Sequence, residues 1–170
     1  MRTIKFSVYF YLELGDNARE KARNNVRSEV ADVLSELDWQ EAKDTIARLE
    51  RISHVKVGWE QNSQGFYYNF TRYTGSGKQS ELIHQLWAHI LNVVDAEFKS
   101  TWADEDMKDI IKTYVVDETH TFAWNIANIV IEFCKKVYDG TLTYYDDECV
   151  EEYIIENEYE FKADGTRYIG

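Results

Sequence analysis

Between Asp139 and Glu160 the chain carries nine acidic residues and no Lys or Arg. They are Asp139, Asp146, Asp147, Glu148, Glu151, Glu152, Glu156, Glu158 and Glu160. Tyrosines are threaded among them: Tyr144, Tyr145, Tyr153 and Tyr159. Like charges at this density repel one another, and the compact state carries that cost. A chain that keeps such a block either solvates it as one face or uses it as a negative surface to meet a basic partner.

Charge is also uneven along the chain. Residues 1–72 hold 11 Lys and Arg against 11 Asp and Glu. Residues 73–170 hold 8 against 20, so the whole net charge of −12 sits there. Such asymmetry speaks about partners more than about fold. Direct nucleic-acid binding by the acidic half is excluded, because phosphates demand cations. An anionic membrane surface is excluded on the same ground. The natural complement is a basic protein surface, including one built to hold DNA or RNA. Plain solubility is the competing explanation.

A chain of 170 residues is long enough to bury a real core, and one domain is the expectation. Hydrophobic residues make up 44% and aromatics 15%, which argues against disorder despite the charge. There is no proline, so rigid Pro turns and Pro-rich linkers are excluded. Arg2 and Lys5 lie in an alternating segment instead of preceding an apolar run, and no run approaches a membrane span. A cytoplasmic location is expected.

The pattern along the chain predicts an α+β fold in a single domain, with a small antiparallel sheet packed by five to six helices. Thr3 to Leu12 alternates, with Ile4, Phe6, Val8 and Phe10 on the inward face of a strand and Lys5, Ser7, Tyr9 and Tyr11 outside. Gly15-Asp16-Asn17 stops it. A helix is predicted from Ala18 to about Leu34, and a second, capped by Asp38, through Leu49. Ser53 to Gln61 and Gly65 to Tyr73 read as a central hairpin. Residues 74–78, with Gly75-Ser76-Gly77, are the candidate hinge between a neutral half and an acidic helical half. Helices are expected from Ser80 to Phe98, Ala103 to Val115, Thr119 to Tyr138 with Gly140 as its stop, and Asp146 to Asn157. A C-terminal hairpin is expected around Asp164-Gly165.

These residues carry a resemblance. The segments are Glu13-Leu14-Gly15-Asp16-Asn17-Ala18-Arg19-Glu20-Lys21-Ala22, then Asp38-Trp39-Gln40-Glu41-Ala42-Lys43, then Tyr159-Glu160-Phe161 with Asp164-Gly165. In order and over nearly the whole chain they resemble a group of small bacteriophage-encoded proteins described as antitoxin-like or hypothetical. Phe66-Tyr67-Tyr68 stand where that group continues with an acidic residue, Gly and Ala, so nothing is carried over to that loop. The group has no agreed catalytic residues. The resemblance implies a setting: a phage or mobile element acting inside a bacterial cell.

No catalytic constellation emerges. His84 and His89 are five apart, about 140° around a helix axis, and do not form a metal edge. His54 and His120 lack a nucleophile motif beside them. Gly75-Ser76-Gly77-Lys78-Gln79-Ser80 is half a phosphate loop: it lacks the earlier Gly and ends in Lys-Gln. Asp104, Glu105, Asp106 and Asp109 suit a helix N-terminus better than a bound cation. Cys134 lies on an apolar stripe, and Cys149 sits among acids that raise a thiol pKa, so neither is a nucleophile. No metal or cofactor is expected.

Two function classes remain, with a third behind them. The first is a non-enzymatic acidic binding protein that inhibits a host defence or nucleic-acid-handling complex by occupying its basic surface. Anti-CRISPR proteins and antitoxins that mask a basic toxin belong to this class. Its contact residues would be Asp146, Asp147, Glu148, Glu151, Glu152, Glu156 and Glu158, with Tyr144, Tyr145 and Tyr153 as anchors. The second is a small-molecule or nucleotide-sequestering protein, with a site near Trp59, Tyr67, Tyr68 and the 75–77 segment and with Arg48, Arg51, Lys56 and Arg72 as its cations. The third is a homo-oligomeric phage accessory protein.

Overall fold

The computed structural model describes residues 7–169, apart from residue 59, residues 63–64 and residues 68–79. The candidate hinge at 74–78 lies outside the described residues. The elements run β1 (Tyr9–Phe10), a 3-10 turn (Tyr11–Glu13), α1 (Asp16–Ser53), β2 (Glu60–Asn62), β3 (Gly65–Tyr67), α2 (Ser80–Glu97), α3 (Trp102–Thr113), α4 (Phe122–Thr141), a second 3-10 turn (Leu142–Tyr145), α5 (Asp147–Glu156) and β4 (Glu160–Phe161). The chain divides into two compact units, one of residues 1–37 with 140–170, the other of residues 38–139.

The expected α+β class is overturned: the protein is mostly helical. Among the described residues its strands are two or three residues long and form two-stranded pairs. Of the residues expected as strand, Ser53 instead ends α1, and residues 54–58 follow as a turn and irregular chain. The tail does not make the expected independent hairpin. Its strand β4 pairs antiparallel with β1, Tyr9 opposite Phe161 and Phe10 opposite Glu160, and the tail folds back on β4 through the Asp164-Gly165 turn, with Lys162 N bonded to the Thr166 carbonyl, Tyr168 N to the Glu160 carbonyl and a bridge from Phe161 to Arg167.

The two helices expected before residue 50 are one helix of 38 residues. Nothing between Asp16 and Ser53 is Gly or Pro, so no residue stops it. Asp38, read as a cap, lies inside. What changes near residue 37 is the helix face that is covered. Ala22, Val26 and Val30 are buried in the first unit, and Trp39, Ala42, Ile46 and Leu49 in the second. The shift of apolar phase mimics a break in the sequence pattern although the backbone is continuous. Gly140 likewise fails to stop α4, which runs on to Thr141.

In the second unit, Trp39, Ile46 and Leu49 pack with Ile90 and Phe98 of the α2 region, Met107 and Ile111 of α3, and Ile126, Ile129 and Phe133 of α4. Thr101 caps α3 by accepting from the Asp104 N–H at 3.2 Å. Asp104 is fully buried. It accepts from Thr45 Oγ1 at 2.8 Å and Ser100 N at 3.0 Å and pairs with Arg48 Nη1 at 3.0 Å. A buried carboxylate is tolerated only with such partners. Buried Asn125 is also saturated. Its Oδ1 accepts from Asp117 N and the Tyr114 hydroxyl, and its Nδ2 donates to the Asp117 and Thr121 carbonyls.

In the first unit, Tyr11, Leu14, Ala22, Val26, Val30, Val150, Ile154 and Phe161 form the core. This reverses the face expected for the N-terminal strand. Tyr11 is buried and Tyr9 half-buried, whereas Val8 and Phe10 are exposed. A strand turned by one residue exchanges its two faces. Tyr11 wins the inward position because its ring packs edge-on against Phe161, at 6.4 Å between centroids, and its hydroxyl accepts from Arg23 Nη1 at 2.6 Å. A buried phenol needs such a partner. The tail turn docks on α1, with Lys21 bonded to Asp164 at 2.7 Å and Asn25 Nδ2 to the Gly165 carbonyl at 3.2 Å.

Candidate functional site

Helix α5 is ten residues long and carries most of the acidic block. Asp147 and Glu148 lie in its first turn, where negative charge meets the helix dipole favourably. Val150 and Ile154 are buried against α1, β1 and β4 neighbours of the first unit. That fixes the rotation of α5, and the acids sort by their position around it.

Asp147 and Glu151 lie on the flank toward α1. Arg27 donates to the Asp147 carboxylate and to the Tyr145 carbonyl. Arg23 stands 3.6 Å from Asp147 Oδ2 and 3.4 Å from Glu151 Oε2. The Arg27 hydrogen bond first, then the charges of Arg23 and Arg27, hold the Asp147 carboxyl below its usual range. These two acids are therefore paired with α1, although Asp147 stays exposed and Glu151 half-buried. The sequence-based reading missed the two arginines that engage them. Their signal was present as Arg19, Arg23 and Arg27, spaced by four on the N-terminal part of α1.

Glu148, Glu152 and Glu156, also spaced by four, occupy the solvent face. None of the three forms an ion pair among the described residues. Asp146 and Glu158 are exposed at the two ends of the helix. Six of the seven expected acids are thus exposed, and five of those six, all but Asp147, lie outside the pairing with Arg23 and Arg27.

The tyrosines divide differently from the expectation. Tyr145 is exposed and Tyr144 half-buried. Tyr153 is half-buried against the core, its ring perpendicular to that of Tyr159 at 6.1 Å. Tyr159 in turn lies under the Arg167 guanidinium at 3.8 Å. Only Tyr145 remains as an exposed aromatic of the expected three.

A feature absent from the sequence-based site lies beside this face. Phe10, Tyr11 and Leu12 meet Ile154, Ile155, Glu158 and Tyr159 around an open groove of about 200 Å³. Phe10, Leu12 and Ile155 are exposed. Glu158 adopts the left-handed conformation, φ 51°. Glu158 N bonds to the Ile155 carbonyl and Tyr159 N to the Ile154 carbonyl, a Schellman closure of α5 with Glu where Gly is usual.

The other candidate residues are described only in part. Arg48 pairs with Asp104, Arg51 with Glu97, and Lys56 with Glu50 at 2.7 Å. Trp59, Tyr68, Arg72 and residues 75–79 lie outside the described residues. His84 Nε2 is 3.1 Å from Glu118, and His120 Nδ1 is 2.9 Å from Asp117 while stacking on Trp124. No cluster of three or more His, Cys, Asp or Glu able to hold a metal occurs among the described residues. Burial pushes the Cys134 thiol up, and burial followed by Glu152 and Asp146 raises that of Cys149. Among the described residues no helix is long and apolar enough to cross a membrane.

Comparison with protein-family models, curated proteins and solved structures finds no match to this chain.

Proposed function

We propose that this chain is a non-enzymatic binding protein that sets an acidic helix face against a basic protein surface. The carrying observation is the division of acids on α5. Arg23 and Arg27 engage Asp147 and Glu151, while Glu148, Glu152 and Glu156 line the solvent side without an ion pair among the described residues. Core packing of Val150 and Ile154 holds that row in place. A row of carboxylates on a positioned helix is complementary to a cationic channel that normally receives phosphates. Tyr145, exposed beside Asp146, is its aromatic contact.

The resemblance to small phage proteins supplies the setting for this proposal: inhibition of a host defence or nucleic-acid-handling complex inside a bacterium. Of the cations of the nucleotide-sequestering alternative, Arg48, Arg51 and Lys56 are each in ion pairs within the chain, and Arg72 lies outside the described residues.

The test is affinity capture from bacterial lysate, eluted by increasing salt and identified by mass spectrometry. Capture of a basic nuclease or nucleoprotein subunit that salt releases is the expected result. Binding that ignores salt and survives conversion of Glu148, Glu152 and Glu156 to lysine would overturn the reading.

A further inference from the structure

The groove beside α5 is a consequence of the strand face chosen in the first unit. Turning Tyr11 inward leaves Phe10 and Leu12 outward, at 51% and 59% exposure. Ile155, 40% exposed, lies across from them on α5. Three large apolar side chains thus converge on one opening whose deeper lining is Tyr11 and Ile154. Scattered exposed apolar residues need no explanation, but a contiguous concave set marks a contact site.

Size narrows the occupant. The groove holds about 200 Å³. Small-molecule and cofactor sites commonly occupy about 300–1,000 Å³, whereas a cavity of about 150 Å³ accepts benzene. One aromatic or branched aliphatic side chain matches that scale.

Charge narrows it further. Glu158 lines the groove. Glu152 precedes Ile155 by three residues, so it is a neighbour on the helix surface, with Glu148 and Glu156 on the same side. The cations beside the groove's lining residues are engaged: Arg19 donates to the Leu12 carbonyl at 2.7 Å, Arg23 to the Tyr11 hydroxyl, and Arg167, which lies over the Tyr159 ring, to Glu29. The fold also keeps a glutamate at position 158 in a conformation that carries a steric cost for any residue with a Cβ. Strain of this kind concentrates at contact sites.

We infer that the groove is the anchor pocket of the binding face. It takes one apolar side chain from a basic protein segment whose Lys and Arg run along Glu158, Glu156, Glu152 and Glu148. The inference rests on the acidic-face proposal for the sign of the partner's charge, and it adds the position and chemistry of the anchor.

The probe is a synthetic nine-residue peptide of lysines and glycines with one central phenylalanine, titrated into the full chain. Methyl NMR of Leu12 and Ile155 and fluorescence anisotropy report binding. The expected result is saturable binding that moves both methyl signals. Affinity should fall about tenfold or more when alanine replaces the phenylalanine, and by a similar factor in the Leu12→Ser and Ile155→Ser proteins. Both side chains are exposed, and unchanged thermal unfolding confirms that these variants are folded.

Equal affinity for the alanine peptide overturns the anchor pocket while leaving the acidic face intact. Equal binding of a peptide with glutamates in place of lysines overturns both. No binding of any peptide overturns the groove as a site for basic segments. A dimer in sedimentation that Leu12→Ser dissociates would assign the groove to a second copy and overturn it as well.

Discussion

Arg23 stands 3.4 Å from Glu151 and donates a 2.6 Å hydrogen bond to the Tyr11 hydroxyl. One cation from α1 thus joins the acidic helix to the N-terminal segment, and it separates acids that are paired with α1 from acids that form no ion pair among the described residues. Charge reversal should separate them too. Glu151→Lys places a cation beside Arg23 and is expected to lower the melting temperature by several degrees, equivalent to about 1–2 kcal/mol. Glu152→Lys and Glu156→Lys should leave the melting temperature unchanged or raise it, because they relieve repulsion, while abolishing salt-sensitive partner capture. Thermal melts and capture on the same proteins check both effects.

Acid should weaken the first unit in a definable window. Asp147 is held below its usual range by Arg27, and Asp164 by Lys21 and then Thr166. A group with a lowered folded-state pKa contributes stability above its unfolded value, near 4, and loses it as pH falls through the folded value. Thermal unfolding followed from pH 5 down to pH 2 should therefore show a falling melting temperature. The Asp147→Asn, Asp164→Asn protein should be less stable at pH 6 but lose less on acidification. A parallel loss in both proteins would assign the acid sensitivity elsewhere.

Gly165 adopts φ +81°, and a Cβ built there runs into the Ala18 carbonyl. Both the backbone conformation and the close approach exclude a side chain. Gly165→Ala is expected to cost at least about 2 kcal/mol in urea unfolding. It should also speed hydrogen exchange at Lys162 and Thr166, whose backbone groups close the turn at 2.8 Å.

Burial of Asp104 makes it the polar residue least tolerant of change in the second unit. Asp104→Ala strips partners from Thr45, the Ser100 N–H and Arg48 together. Removing one side of such a buried pair costs about 3–5 kcal/mol. Asp104→Asn keeps the shape and one acceptor, so its loss should be smaller. Denaturant unfolding of the two variants provides the comparison.

Glu158 offers the opposite case. Glycine adopts its left-handed conformation without the Cβ penalty, so Glu158→Gly should stabilise the protein by up to about 1 kcal/mol. If Glu158 serves binding, the same change should weaken capture of the basic partner despite the gain in stability. A calorimetric melt paired with a capture assay reads out that trade directly.

Local periodicity in the sequence located α2, α3, α4 and α5 to within a few residues, because each has an apolar stripe of helical spacing, with acids such as Asp104 and Glu105 or Asp146 marking a start. It divided α1 in two because the stripe changes phase near residue 37, although no helix breaker lies there. It also placed Phe10 inside and Tyr11 outside. On hydropathy alone that is the better choice, and only the Phe161 ring and the Arg23 guanidinium, both distant in sequence, reverse it.

Of the candidate site, the charge and its helical carrier are written in the residues from Asp146 to Glu158. Composition and spacing determine that a dense acidic helix exists and that phosphate-binding chemistry is foreign to it, since both are properties of the local chain. Tertiary structure alone decides which acids remain available. That depends on the rotation of α5 set by Val150 and Ile154, and on Arg23 and Arg27 arriving from more than a hundred residues away. The apolar groove is decided the same way, because a strand's exposed face is set by what packs on its other side.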